Sequence, residues 1–230
     1  MVEGQHVVST RKLVDSDAEQ QLLEELIEAA KPPLPDEPEF EGLHYLLATP
    51  FRYPPLRHGS RFGTRAERGL WYGSESLPTA FAEAAYYRLL FLEGTAAELP
   101  QVLTDVSAFT AAIETRRGID LTAGPFADFE SETASPDRYD ASQRLGADMR
   151  RDGVEAFLYR SARDAQAGRN CGVFTPKAFA SRRPSPPQTW LCASRRDAVE
   201  FTRRDVFRHQ ALRFPREQFL VQGRLPAPAV

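Results

Sequence analysis

The stretch GLWYGSESLPTAFAEAAYYRLLFLEG, residues 69–94, places a short strand candidate directly before the most clearly helical segment of the chain. GLWYG has the length of a strand, is rich in aromatic residues and is bounded by glycines. The helical segment has Pro78 in its first turn and Gly94 in position to end it. This order of strand, turn and helix is the starting point for predicting the fold.

On both sides of this stretch, other short apolar runs bounded by turn residues also have strand length. These strand candidates are LHYLLA at 43–48, QVLTDVSAF at 101–109, VEAFLY at 154–159 and CGVF at 171–174. We expect a second helix over residues 141–151 with Asp140 as its N-cap, and surface loops over 126–140 and 182–187. The alternation is irregular and has no Gly-rich phosphate turn. We therefore predict a compact α+β domain with largely antiparallel sheets.

The N-terminal region has the pattern of an amphipathic helix. Ser16 followed by Glu19 is a capping box, and apolar residues then recur at helical spacing until Lys31-Pro32-Pro33. The Pro-rich connector KPPLPDEP follows. We therefore expect residues 1–40 to form an appendage suited to contacting a partner protein, and residues 41–230 to form the main domain.

Composition limits the class of protein. A chain of 230 residues with 42% hydrophobic side chains is in the range of one domain. Its net charge of -3 provides no global positive field for nucleic acid or an anionic membrane. There is no signal-peptide pattern and no run of about 18 apolar residues, so we expect a soluble, cytoplasmic protein. The two cysteines and four scattered histidines lack metal-binding spacing, and we predict no metal site.

Three polar candidates lie around the strand candidate GLWYG. Arg61 lies between glycines in HGSRFG, which suits a guanidinium that grips phosphate oxygens but equally suits a solvated loop position. Tyr72 ends the strand, so its ring either closes the edge of the core or faces a base. Glu83 is an isolated acid in apolar helix, and it either reaches solvent near the helix N-terminus or points into a pocket.

Another candidate follows the strand candidate VEAFLY. Ser161 lies just past that strand, between Arg160 and Arg163, and Asn170 follows in the next segment. The hydroxyl suits either a ligand hydrogen bond or a local turn. Because no GxSxG motif surrounds it, a serine hydrolase is not expected.

Taken together, these residues resemble the RES domain, a family named for its arginine, glutamate and serine and found in bacterial toxins paired with Xre-type antitoxins. Arg61, Tyr72 and Glu83 follow one another at intervals of eleven residues, as the corresponding family residues do. The upstream pair Arg52-Tyr53 is also similar to that of the family.

The resemblance continues into the second half of the chain. FLYRSAR is similar to the family's serine motif and places that serine at Ser161, with NCGVF following it. GIDLTAG at 118–124 and the segment YDASQRLGADMRRDGVEAFLY are similar to further family segments. The resemblance covers roughly residues 45–179.

What the resemblance implies is an ADP-ribosyltransferase-like fold, with small, mostly antiparallel sheets flanking an NAD cleft. It implies a toxin that uses NAD as its substrate and breaks the nicotinamide–ribose bond. The antitoxin, an Xre-type protein with a helix-turn-helix domain, would block the active site. By position, the catalytic residues would be Glu83, Arg61 and Tyr72. The NAD-binding residues would be Arg52, Tyr53, Arg61, Tyr72 and Ser161.

Three acceptors for ADP-ribose stay open at this point: water, phosphate and a protein side chain. The corresponding activities are those of an NAD glycohydrolase, an NAD phosphorylase and an ADP-ribosyltransferase. Two alternatives come from other classes. One is an RNA-cleaving toxin, because arginines and aromatic rings together follow a nucleic-acid strand. The other is a binding module without catalysis, in which Arg61 and Glu83 pair with each other.

Overall fold

The computed structural model describes residues 2–3, 13–53, 57–205 and 210–227 of the chain. Its helices are α1 Asp17–Ala30, α2 Tyr45–Arg52, α3 Leu77–Glu93, α4 Glu130–Thr133 and α5 Asp140–Arg151. Its strands are β1 Val2–Glu3, β2 Trp71–Ser74, β3 Val102–Ala108, β4 Gly118–Asp120, β5 Ala156–Arg160, β6 Arg169–Val173, β7 Gln188–Ser194, β8 Ala198–Arg203 and β9 Ala211–Pro215.

The strands form two small sheets. The five-stranded sheet has the order β1-β3-β7-β8-β9, and each neighbouring pair is antiparallel. The four-stranded sheet has the order β2-β6-β5-β4, and only its β4–β5 pair is parallel. The prediction of an α+β fold with mostly antiparallel sheets is confirmed.

Helix α3 links the two sheets and carries Glu83. Its start is fixed by Ser76, whose hydroxyl oxygen accepts from the Thr79 N–H at 3.2 Å, and Gly94 caps its end. Phe81 packs against the five-stranded sheet, with its ring stacked on Phe201 at 4.3 Å between centroids. The helix also contacts β2 and β6 of the other sheet.

A second core lies between the four-stranded sheet and α5. The ring of Phe62 meets those of Phe157 and Tyr159, with centroids 4.6 and 4.8 Å apart. A Cβ atom at Gly146 of α5 would lie 2.2 Å from the Phe62 carbonyl oxygen, so only glycine allows this helix to come so close. This contact fixes the segment that contains Arg61.

The predicted N-terminal helix is confirmed as α1. The hydroxyl oxygen of Ser16 accepts from the Glu19 N–H at 3.2 Å, as a capping box requires. No residue of α1 is buried. Arginines from later in the chain hold α1 and the segment that follows it: Arg52 pairs with Glu28, Arg68 with Glu37, and Arg182 donates to the carbonyls of Glu39 and Glu41. In the described part of the chain, no helix combines the length and apolarity needed to cross a bilayer.

One strand prediction is wrong. LHYLLA does not form a strand but begins α2, because the His44 imidazole accepts from the Leu46 N–H and caps a helix start. Residues Leu47 and Phe51, one helical turn apart, are then buried together on one face. The other four strand candidates are confirmed as β2, β3, β5 and β6.

The predicted loop at 126–140 is wrong in part. Residues Gly124–Phe129 form a 3₁₀ helix and Glu130–Thr133 form α4. The second predicted helix is confirmed as α5, but Asp140 is its first residue and Tyr139 takes the cap position. The strands β1, β4, β7, β8 and β9 were not among the predicted strands.

Candidate active site

A cavity of about 600 Å³ lies where α3, the two sheets and the segment before α5 meet. We call it the Glu83 cavity. Glu83 comes from α3, Arg61 and Tyr72 from the region around β2, Tyr139 from the start of α5, and Asn170 from β6. Three of the predicted site residues, Arg61, Tyr72 and Glu83, therefore line one cavity.

Two neutral side chains hold one oxygen of Glu83. Its Oε1 accepts from the Ser161 hydroxyl at 2.6 Å and from the Asn170 amide at 2.7 Å. The Ser74 hydroxyl donates to Asn170 Oδ1 at 2.6 Å, which fixes the orientation of the amide. Oε2 has no hydrogen-bond partner among the described residues. One carboxylate oxygen is thus fixed, and the other is available to a ligand.

Ser161 holds Glu83 in place and does not line the cavity. Its oxygen accepts from the backbone N–H groups of Arg163 and Asp164 at 3.1 and 3.0 Å, and its proton goes to Glu83. The side chain is buried, with 7% of its surface exposed. Of the two roles left open by the sequence, the structure shows the local turn, and the same hydroxyl also positions the acid.

Ser161→Ala is expected to lower the free energy of unfolding by about 1–3 kcal/mol, because the buried Arg163 N–H and the partly buried Asp164 N–H lose their acceptor. Ser181→Ala is the matched control, because Ser181 makes the same contact with the Arg183 N–H on an exposed turn. That variant should change stability by no more than about 0.5 kcal/mol. Denaturant unfolding measures both variants. Equal changes would show that the Ser161 hydroxyl has no special structural role.

The turn that carries Ser161 is joined to the start of α3. Thr79 donates its hydroxyl proton to Asp164 at 2.7 Å. Gly168 lies against Thr79 so closely that a Cβ atom there would be 2.1 Å from the threonine oxygen. Because this hydrogen bond and this close contact hold the turn against the helix, the fold fixes the distance between Ser161 and Glu83.

Arg61 is a buried cation that no carboxylate neutralises in the described structure. Only 8% of its surface is exposed, and its Nη1 donates to the carbonyls of Thr133 and Ser135. Its guanidinium lies over the ring of Tyr139, 4.7 Å from the centroid. The remaining N–H groups have no partner among the described residues. They are free to bind an anion in the cavity.

Tyr72 presents its ring to the cavity and keeps its hydroxyl inside the protein. The phenol oxygen accepts from the Phe62 N–H at 3.0 Å and shares a hydrogen bond with the Ser60 hydroxyl at 2.9 Å. Burial raises the pKa of Tyr72 to about 12, although these hydrogen bonds act in the opposite direction. At neutral pH this group is therefore an uncharged aromatic wall and not a proton donor to a ligand.

Tyr72→Phe is expected to reduce the loss of stability at alkaline pH. The unfolded chain releases this proton near the ordinary tyrosine pKa of about 10, whereas the folded protein holds it to about 12. This contribution to the free energy of unfolding is complete below about pH 10 and is lost as the pH rises toward 12. Urea unfolding at about pH 9 and pH 11 measures the loss. The control variant Tyr45→Phe, at an exposed position, should lose as much stability between these two pH values as the wild type. If Tyr72→Phe loses the same amount, the raised pKa is wrongly assigned to Tyr72.

The structure separates Arg52 and Tyr53 from the other predicted site residues. Neither lines the Glu83 cavity. Arg52 ends α2, where it pairs with Glu28 at 2.8 Å and donates to the Pro32 carbonyl. Tyr53 follows on the surface, with 39% of its area exposed. Arg52 therefore binds the N-terminal segment to the end of α2.

Four further residues that line the cavity were not predicted to have a role: Asn170, Ser74, Tyr139 and Tyr159. Asn170 had a detectable signal, because an amide inside the apolar strand segment RNCGVF needs a polar partner. Ser74 faces Asn170 across β2 and β6, and Tyr159 faces it across β5 and β6. These contacts depend on strand register, which the sequence does not reveal.

The described residues contain no group of three or more His, Cys, Asp or Glu side chains arranged to hold a metal ion. No curated protein matches the chain significantly. The model of the RES domain family matches residues 38–194, a span that includes Arg61, Tyr72, Glu83 and Ser161. Since this match covers more than half of the sequence, the chain belongs to the RES domain family.

Proposed function

We propose that this protein is the toxin of a toxin–antitoxin system and that it cleaves the nicotinamide–ribose bond of NAD in the Glu83 cavity. The RES domain is associated with toxin–antitoxin systems and with NAD-related activity. The observation that carries the proposal is the arrangement of Glu83. One of its oxygens is fixed, the other has no partner among the described residues, and the residue lines the same cavity as the uncompensated cation Arg61.

The reaction needs one carboxylate. Nicotinamide attached to ribose is already cationic, so the C–N bond breaks without a proton donor, and its electron pair leaves with neutral nicotinamide. Positive charge then develops on the ribose, as in other glycosidic cleavages. The free oxygen of Glu83 stabilises this charge because it is held in place before the reaction begins.

The other cavity residues fit the rest of the substrate. The free N–H groups of Arg61 bind the diphosphate. The rings of Tyr72 and Tyr159 provide an apolar wall for the nicotinamide or its ribose. Ser161 contributes by holding Glu83 and not by touching the substrate. A diphosphate role for Arg52 is not retained, since its guanidinium is engaged with Glu28 and Pro32.

The acceptor that attacks the ribose determines the class of enzyme. We expect nicotinamide release in every case, with ADP-ribose from water, an ADP-ribose phosphate from inorganic phosphate, or a modified protein. Incubating the purified protein with NAD, with and without phosphate and with a cell extract, and identifying the products by mass distinguishes the three. Intact NAD in all three incubations would overturn the proposal.

We also propose that the fold is related to that of ADP-ribosyltransferases and that an Xre-type antitoxin is the partner. Two small sheets flanking the Glu83 cavity are compatible with an ADP-ribosyltransferase-like fold. An Xre-type antitoxin would inhibit by covering the cavity. Tyr87 and Phe91 support this, because these aromatic side chains line the cavity yet remain 56% and 59% exposed, as residues that anchor a protein partner do. Loss of inhibition in the double variant Tyr87→Ala, Phe91→Ala would support this contact.

The two alternatives lack a supporting observation in the described residues. Cleavage of RNA without a metal commonly needs a general acid and base, and no histidine is among the residues that line the cavity. The binding module without catalysis required Arg61 and Glu83 to pair. Arg61 instead donates to carbonyls, and Glu83 accepts from Ser161 and Asn170.

A further inference from the structure

A second cavity, of about 620 Å³, lies on the opposite face of the four-stranded sheet. We call it the Trp71 cavity. Trp71, Gly73, Leu158 and Cys171 share that face, because their register places them in alternation along β2, β5 and β6. None of the residues assigned to catalysis, apart from Tyr72 at the boundary, lines it.

The Trp71 cavity has one flat aromatic wall. The indole of Trp71 lies across Gly73, where a Cβ atom would be only 2.4 Å from the ring. Phe179 supports the indole from the side, with ring centroids 5.6 Å apart at 88°. Ile113 and Leu158 complete an apolar surface. The shape suits a planar heterocycle stacked on the indole.

Two acids, Glu75 and Asp120, line the rim of the Trp71 cavity, and a base behind them pairs with both. Arg169 pairs with Glu75 at 2.5 Å and with Asp120 at 3.2 Å. Hydrogen bonds from Thr122, above all, together with the charge of Arg169, lower the pKa of Asp120, so this acid is ionised at neutral pH. This net negative rim repels a phosphate group but accepts hydrogen bonds from sugar hydroxyls, a contact that acids make in other nucleotide sites.

The free edge of β2 separates the two cavities. Both are lined by Tyr72, Gly73, Ser74 and Ala80. The Glu75 N–H donates to the Arg169 carbonyl. Because every second residue of an antiparallel strand hydrogen-bonds to its neighbour, Gly73 and Trp71 are the other residues of this strand that bond to β6. The N–H groups of Tyr72 and Ser74 then point outward, and no described residue accepts from them. A ligand that spans both cavities passes these donors.

We propose that the Trp71 cavity binds the adenosine half of the dinucleotide, with the base on Trp71 and the ribose hydroxyls at Glu75 and Asp120. This inference rests on the proposed function, because it completes the substrate whose nicotinamide half occupies the Glu83 cavity. The diphosphate crosses the free edge of β2 between Arg61 and the outward N–H groups.

Tryptophan fluorescence tests the binding directly. The chain has two tryptophans, and Trp190 is fully buried, so a ligand in the cavity changes the emission of Trp71 alone. Adenosine is expected to quench the emission of the full chain in a saturable manner, and nicotinamide mononucleotide, which lacks adenosine, is not. Trp71→Phe should abolish the quenching. Unchanged emission at saturating NAD would overturn the inference.

Kinetics provide a second test that a general packing defect does not affect. Trp71→Leu is expected to reduce the preference for NAD over nicotinamide mononucleotide, measured as a ratio of kcat/KM values, by about tenfold, because leucine provides no ring on which the base can stack. A defect in folding lowers both values and leaves their ratio unchanged. An unchanged ratio overturns the inference. If adenosine quenches the emission in a saturable manner but the protein leaves NAD intact, the proposed function is wrong and the adenosine site stands.

Discussion

Glu83→Gln is expected to slow NAD cleavage by about 10²- to 10³-fold while the protein stays folded. The amide oxygen of glutamine still accepts from Ser161 and Asn170, so the local geometry is retained. What is lost is the negative charge that, in the proposed reaction, stabilises the cation developing on the ribose. Nicotinamide release under saturating NAD measures the rate.

The matched control for this substitution is Glu93→Gln, which removes a carboxylate from the last position of the same helix. Glu93 pairs with Arg216 at 2.7 Å on the surface and lies outside the cavity. Its variant should cleave NAD at the wild-type rate. If Glu83→Gln also retains full activity, Glu83 has no catalytic role and the proposed mechanism is wrong.

Phe81→Ala is expected to lower the free energy of unfolding by about 3–5 kcal/mol. The Phe81 ring is fully buried between Phe201 and Trp190, with centroid distances of 4.3 and 4.8 Å. Removing it leaves a void between α3 and the five-stranded sheet, and a close-packed core relaxes only in part to fill such a void. This loss is a large fraction of the stability of a typical domain.

Denaturant unfolding of Phe91→Ala is the control for Phe81→Ala. Both residues lie on α3, but 59% of Phe91 is exposed, so its truncation should cost no more than about 1 kcal/mol. If Phe81→Ala costs no more than the control, α3 is not held by this aromatic cluster. The position of Glu83, two residues further along the helix, would then need a different explanation.

The elements that sequence patterns predicted well are those with local causes. Ser16 caps α1 through a contact three residues away, and α3 is capped by Ser76 at its start and by Gly94 at its end. LHYLLA was misassigned because a short apolar run of six residues fits a buried strand and a buried helix turn equally well. The His44 side chain decides for the helix.

The candidate site was predicted in part because its residues fall in motifs, whereas their partners depend on tertiary structure. Arg61, Tyr72 and Glu83 were identified by their spacing, and the structure brings them to one cavity. The hydrogen bond between Ser161 and Glu83 joins residues 78 positions apart. The carbonyls of Thr133 and Ser135 that hold Arg61 come from a segment predicted to be a surface loop. No local pattern encodes such contacts.

The arginines that hold the N-terminal segment join two regions of opposite net charge. Residues 1–41 contain eleven acidic and three basic side chains, whereas residues 42–230 contain 21 acidic and 26 basic ones. A protein cleaved after residue 41 would change from a net anion to a net cation of about +5 and would be retained on a cation exchanger. Such a fragment would also adhere to nucleic acid without sequence preference, so any apparent RNA binding by a proteolysed sample would reflect the lost acidic segment.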